Sequence, residues 1–476
     1  MHSDPVVHLG SGSVRGVREE FGERYRAIPY AAPMRGAARF RAPTVHPGWS
    51  GVRDGTRPSP TAPQPGRDFG RLDLSPYFGP GWVAGEEYLT VDVRTPATDG
   101  GARPVMVFVH GGGLITGSTR AALYDGGAFA RDGVVFVAVN YRLGIPGFLE
   151  LEDAPANRGL LDVVLALAWV RDNIAAFGGD PGRVTVFGQS AGAKLIAALL
   201  SVPEAEGLFR RAIVQSGGGT GAFAAEQAQR VTRAAAGALG IAPTAEAFAG
   251  IPDERLLETF PILSTVDLRT DTAFDPLVGL SPFSLVLPLG ELTASHAGNV
   301  GLLIGTNTEE GNLYLVPQGK FESSTAADVH AVAAATRGDP DAAIAEHLAR
   351  RPAATPGELR SGLLADALFG LGSARLTAAH ARLAPGRTHA YSFGYRSTAL
   401  DGRLGAAHTV ELPFVFDIAD EPWLHGDTGL LGPDPAPPGL ASRMHAAWVS
   451  FAANGDPGWA AYTEQDPVVE VFGVTR

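Results

Sequence analysis

The sequence predicts an α/β protein with a central, mostly parallel sheet flanked by helices. Three observations predict it. Short β-branched, apolar runs alternate with helical patterns through the middle of the chain. The composition, 45% hydrophobic and 18% charged over 476 residues, can fill a core on both faces of a large sheet. One strand-like run passes directly into a helical one through Gly188-Gln189-Ser190-Ala191-Gly192.

The expected strands are Val105–Val109, Val134–Asn140, Val184–Gly188, Ala212–Gln215 and Val300–Gly305. Their apolar character is nearly unbroken, as strands buried on both faces require. Between them Gly159–Phe177 and Ala191–Leu200 read as helices. From about 220 to 288, and again from 320 to 383, the chain turns Ala-rich and helical. Both blocks are expected as insertions over the carboxyl edge of the sheet. The Pro-rich stretch Pro58–Gly66 reads as an ordered surface loop. At about 150 residues per domain the length would suggest three units. No linker or repeat divides the chain, so a single domain over residues 1–476 is expected.

Composition also excludes. The 38 basic and 50 acidic residues leave a net charge of −12 with no basic stripe, which argues against a nucleic-acid partner. The absence of cysteine excludes disulfides, thiolate nucleophiles and Cys-ligated metal. No apolar run reaches the ~18–20 residues of a membrane span, and the start lacks signal-peptide character. A cytoplasmic location and a monomer are the expectations. Gly10-Ser-Gly12-Ser-Val-Arg-Gly16 only approximates a dinucleotide fingerprint and opens no helical run.

The chemistry concentrates in three places. In Val184-Thr-Val-Phe-Gly188-Gln189-Ser190-Ala191-Gly192 a strand turns so tightly into a helix that only glycine fits two residues either side of Ser190. The serine hydroxyl then projects above the sheet edge as a nucleophile. His110-Gly111-Gly112-Gly113 follows a buried strand, and its bare N–H groups can approach a substrate oxygen. Gly112, Gly113 and Ala191 are the expected oxyanion donors. Gln189 and Gly111 are expected to contact substrate. A serine nucleophile needs a base, and the base an orienting acid, in chain order Ser, acid, His. Val300–Gly305 leads into Thr306-Asn-Thr-Glu309-Glu310-Gly311, where only one carboxylate can face inward; Glu310, beside the turn glycine, is chosen. Of the later histidines, His408 stands in a loop after the last strong strand, with His425 as the alternative.

Assembled, these segments resemble the type-B carboxylesterases, a family that includes cholinesterases and bacterial p-nitrobenzyl-type esterases. Further matches are Ile28-Pro-Tyr-Ala31, Asn140-Tyr-Arg-Leu-Gly144, Asn157-Arg-Gly-Leu-Leu-Asp162, Phe177-Gly-Gly-Asp-Pro181, Thr308-Glu-Glu-Gly311 and Ala407-His-Thr-Val-Glu-Leu412. The resemblance implies an α/β-hydrolase fold and a Ser190–Glu310–His408 triad acting on small ester substrates without metal or organic cofactor. Carbamate or amide hydrolysis on the same triad is the alternative, and a non-catalytic binding module a more distant one. The sequence also departs from the family. Tyr88 replaces a disulfide cysteine, and Pro276-Leu-Val-Gly279 blurs a pocket-wall motif. Gln189 stands where cholinesterases carry Glu, removing a local anion for a quaternary ammonium. Lys194, one of only two lysines, sits where a small or apolar residue is usual, and is expected to point away from the site.

Overall fold

The computed structural model describes residues 4–218, 221–289 and 292–473. Three short strands, β1 (Val6–Leu9), β2 (Gly12–Arg15) and β5 (Val52–Asp54), form a small N-terminal sheet. The Gly10–Gly16 segment is thus part of a hairpin, and no helix follows it.

The large sheet begins with β3 (Val17–Glu19), β4 (Gly22–Pro29) and β6 (Thr90–Thr95). It continues with β7 (Arg103–Val109), β8 (Val135–Val139), β9 (Gly179–Gln189) and β10 (Arg211–Gln215). The last three are β11 (Gly301–Asn307), β12 (Thr388–Phe393) and β13 (Val469–Phe472). Their order is β13-β12-β11-β10-β9-β7-β8-β6-β4-β3. Strands from β13 through β8 are parallel, and the β8–β6–β4–β3 edge is antiparallel.

Strand β7 shows why the apolar runs are unbroken. Val105, Val107 and Val109 join one core, while Met106 and Phe108 join the core on the opposite face. Helices Arg158–Asn173 and Ala191–Leu199 bury their apolar sides in the first core. Helix Leu440–Asn454 contributes Met444, Trp448 and Phe451 to the second. Strand β8 lies on one side of β7 and β9 on the other, so the chain reverses direction across the sheet there. Such a switch point opens a crevice outside the carboxyl ends of the strands.

The predicted helical blocks differ from expectation in two places. Residues 225–263 hold four helices, but 264–289 form turns and extended segments instead. Pro276, Pro282 and Pro288 cannot donate to a helix, and the Asp275 carboxylate caps the N–H groups of Leu277 (2.9 Å) and Gly279 (2.7 Å). Residues 326–383 are helical throughout most of their length, yet the last helix, Leu371–Leu383, packs on β11 and β12 and is not part of a cover over the edge. Position 220 falls outside the described residues. The Pro58–Gly66 stretch is largely buried, because Gln64 bridges to Thr116 Oγ1 (2.6 Å) and the Gly117 N–H (2.8 Å) behind the glycine loop.

Beneath β8 lies an ion pair without solvent contact. The Arg142 guanidinium donates twice to Asp162 (2.8 and 2.6 Å), and its remaining donors reach the carbonyls of Arg39, Arg41 and Arg158. Both side chains are 0% exposed. Removing the carboxylate leaves a buried cation uncompensated, so Asp162→Ala is expected to cost about 3–5 kcal/mol. Urea unfolding of the variant against wild type checks this; a loss below about 1 kcal/mol would contradict it.

Candidate active site

The crevice is built from the ends of neighbouring parallel strands. β9 ends at Gln189, and Ser190 turns the chain into its helix with φ 57° and ψ −122°, a strained conformation for a residue with a Cβ. The flanking glycines are required by space. A Cβ on Gly192 would lie 1.9 Å from the Val109 carbonyl oxygen, and one on Gly188 2.5 Å from the same atom. β9 and β7 can approach at this point only because both positions are bare.

β7 runs into the glycine loop. His110 stacks on Tyr141, ring centroids 4.5 Å apart, and the Tyr141 hydroxyl donates to the His110 carbonyl at 2.8 Å. Burial pushes the His110 imidazole down to about 4, so it is a neutral packing group. Gly112 and Gly113 adopt φ of 108° and 69°, open to glycine, and Ser281 Oγ donates to the Gly113 carbonyl at 2.9 Å. Among the described residues the N–H groups of Gly113 and Ala191 find no acceptor, while that of Gly112 faces the Tyr77 hydroxyl.

Beyond β11, Glu310 turns inward and Glu309 outward. Glu309 forms an ion pair with the exposed Arg396 and accepts the Ala406 N–H. Glu310 is 1% exposed and every donor around it is used. Its Oε2 meets His408 Nδ1 at 2.5 Å; its Oε1 accepts from Ser216 Oγ (2.5 Å) and the Asn307 N–H (2.8 Å). The His408 ring lies flat on Phe369, centroids 4.3 Å apart. With the Nδ1 proton directed at Glu310, Nε2 carries the lone pair of a neutral ring, and the Gln189 amide nitrogen lies 3.1 Å from Nε2 and 3.4 Å from Nδ1. That amide is oriented by the Tyr77 hydroxyl, which donates to Gln189 Oε1 at 2.8 Å. His425, the alternative base, is tied instead to the carbonyls of Gly432 and Ala419.

Ser190, His408, Gly112, Gly113 and Ala191 all line one cleft, walled by Leu277, Leu280, Phe283 and Tyr314 among others. Two expected substrate contacts do not line it. Gln189 is fully buried beneath His408, and Gly111 is backed by Tyr77, whose hydroxyl would lie 2.2 Å from any Cβ there. Lys194 is a third difference: it lines the cleft, and also a neighbouring cavity walled by Ala198, Gly218 and Leu285.

Several participants escaped the sequence reading. Ser216 is buried at φ 53° and donates to the Glu310 carboxylate. Glu411 is also fully buried, accepting from Asn307 Nδ2 at 2.7 Å. Burial, and then the nearby Glu310 charge, raises its carboxyl from an ordinary 4.5 to about 7. The folded state therefore favours the protonated form. That contribution to stability is fully present below pH ~4.5 and is lost as the pH rises towards ~7. Glu411→Gln keeps a neutral side chain at every pH, so its stability relative to wild type should grow by about 3 kcal/mol between those values and level off above them. Unfolding measured from pH 5 to 8 checks this; a pH-independent difference would contradict it. Among the described residues no cluster of three or more His, Cys, Asp or Glu could hold a metal ion, and no helix is long and apolar enough to cross a membrane.

A serine on a strand–turn–helix elbow, a buried His–Glu pair and a glycine loop, set on this sheet, define a serine hydrolase of the α/β-hydrolase fold. The chain belongs to the carboxylesterase family, whose pattern matches residues 3–471. It is 36% identical to the phenmedipham hydrolase of Pseudarthrobacter oxydans, over 99% of this chain and 96% of that protein. With the para-nitrobenzyl esterase of Bacillus subtilis it shares 34% identity over 97% of this chain and 93% of the relative. The solved structure of a thermophilic PNB esterase superposes with a TM-score of 0.83 at 32% identity, covering 99% of this chain and 96% of the other. The protein is a carboxylic ester hydrolase.

Proposed function

We propose that Ser190 is the nucleophile, His408 the general base and Glu310 the acid that orients it, with Gly112, Gly113 and Ala191 as the oxyanion donors. The substrate is a small carboxylic ester. His408 Nε2 takes the Ser190 proton as Oγ attacks the ester carbonyl, and Glu310 stabilises the imidazolium. The free N–H groups at the glycine loop and the elbow hold the tetrahedral oxyanion. His408 returns its proton to the departing alcohol, leaving an acyl-serine. Water, deprotonated by the same imidazole, attacks the acyl carbonyl and releases the acid and free Ser190.

The observation that carries this reading is the 2.5 Å contact from Glu310 to His408 Nδ1, which leaves Nε2 as the acceptor beside the elbow. Gln189 supports it by packing its amide against the imidazole, 3.1 Å from Nε2 and 3.4 Å from Nδ1, which fixes the position of the ring beside the elbow. The test is hydrolysis of p-nitrophenyl butyrate by wild type and its loss in Ser190→Ala. Similarity to the phenmedipham hydrolase favours phenmedipham as a further substrate to assay in the same experiment.

A further inference from the structure

The chain carries a net charge of −12, yet its active-site cleft is lined by two cationic side chains, Arg67 and Lys194, and by no carboxylate among the described residues. Lys194 lies four residues past Ser190 on the elbow helix, about 6 Å further along its axis. Among the described residues its Nζ reaches only neutral acceptors, Ser284 Oγ at 3.3 Å and the Gly221 carbonyl at 3.4 Å. Arg67 stands on the opposite wall, beside the glycine loop: a Cβ on Gly113 would sit 3.2 Å from its guanidinium. It rests over the Phe69 ring at 5.3 Å. Neither cation has a carboxylate within 4.0 Å among the described residues, in contrast to Arg142, which is paired and saturated.

Two incompletely matched cations on the walls of a partly apolar cleft are costly to hold there. Burial pushes Lys194 down to about 8, so at neutral pH it keeps its charge in spite of that cost. A group retained at a cost in stability on the wall of a site is accounted for by a ligand that completes it.

We propose that this site takes anionic esters: substrates bearing an ionised carboxylate a few bonds from the scissile ester, held by Lys194 with Arg67 reinforcing the field across the cleft. The proposal rests on the ester-hydrolase reading and deepens it. The carboxylate would accept charge-assisted hydrogen bonds from Lys194 Nζ while the ester carbonyl occupies the oxyanion donors. The cationic lining would also draw anionic substrates into a cleft on an otherwise acidic protein.

The test compares kcat/KM for two anionic esters, monomethyl adipate and 6-acetoxyhexanoate, with their neutral counterparts, methyl hexanoate and hexyl acetate. The pairs place the charge on the acyl and the alcohol side in turn. In wild type at least one anionic ester should be preferred over its counterpart by about fivefold or more. In Lys194→Met that ratio should fall by about tenfold, in Lys194→Arg it should largely persist, and in Arg67→Met it should fall in the same direction. Melting temperature separates the roles: Lys194→Met should melt higher, because an unpaired buried charge is gone. The proposal is overturned if wild type prefers the neutral ester in both pairs, or if Lys194→Met leaves the ratio within about twofold. It is overturned equally if Lys194→Met melts lower and loses both ester classes alike, which would make Lys194 a packing residue. Failure of wild type on methyl hexanoate and hexyl acetate as well would refute the hydrolase reading instead.

Discussion

Ser190→Ala is expected to lower kcat for p-nitrophenyl butyrate by about 10⁴- to 10⁶-fold. The size follows from what the hydroxyl does. Without Oγ no acyl-enzyme forms, and the two-step path closes completely. The proposed oxyanion donors would survive the change, since they are backbone N–H groups of Gly112, Gly113 and Ala191. Water attack on a bound ester can still draw on them, which is why the expected residual rate is above the uncatalysed one. Stability should change little. Alanine keeps the Cβ and therefore the backbone strain at φ 57°, and Gly188 and Gly192 still give the turn its room. Stopped assays on purified variant, with melting temperature alongside, make the comparison. Turnover within tenfold of wild type in a folded variant would remove Ser190 from the mechanism.

What the sequence made legible was local. Val105–Val109 and Val184–Gly188 could be read as doubly buried strands because, Thr185 apart, they carry no polar side chain, and alternate side chains do enter different cores. The elbow was legible because steric exclusion at Gly188 and Gly192 is a property of one short segment. Asp180, which caps the Gly182 N–H two residues on, acts locally, whereas Asn157 holds both backbone groups of Val286, 129 residues away. What stayed hidden was produced by strand register. Ser216 meets Glu310 because β10 pairs with β11, Gln215 opposite Gly305, which puts the residue after one strand against the turn after the next. No spacing within Gln215-Ser216-Gly217 announces that pairing. Gln189 was misplaced for a related reason. It follows β9 in the alternation that sends its side chain beneath the sheet edge towards Tyr77 and His408, opposite in direction to Ser190. Residues 264–289 show the limit of composition: apolar content there suggested helix, and prolines with Asp275 decided for turns.

Glu310→Gln should lower kcat by about 10³- to 10⁴-fold with a much smaller effect on KM, whereas Glu309→Gln should stay within about threefold of wild type. The contrast tests which of two adjacent carboxylates completes the site. Glu310 receives three donors on two oxygens: His408 Nδ1 on Oε2, and Ser216 Oγ with the Asn307 N–H on Oε1. A carboxylate satisfies all three, but an amide has only one oxygen. If that oxygen keeps Ser216 and Asn307, the NH₂ group faces His408 and favours a proton on Nε2, the tautomer that cannot accept from Ser190. If the amide turns over, His408 keeps its partner but the Asn307 N–H is left buried against a donor, a cost of about 1–3 kcal/mol. Two buried donors against one are harder to abandon, so the wrong tautomer is the favoured outcome, and kcat falls while the cleft that binds substrate is unchanged. Glu309 pairs with the exposed Arg396 and accepts a single loop N–H, so neutralising it touches neither the imidazole nor the cleft. A Glu310→Gln variant within tenfold of wild type, beside a Glu309→Gln variant that lost a hundredfold, would reassign the acid.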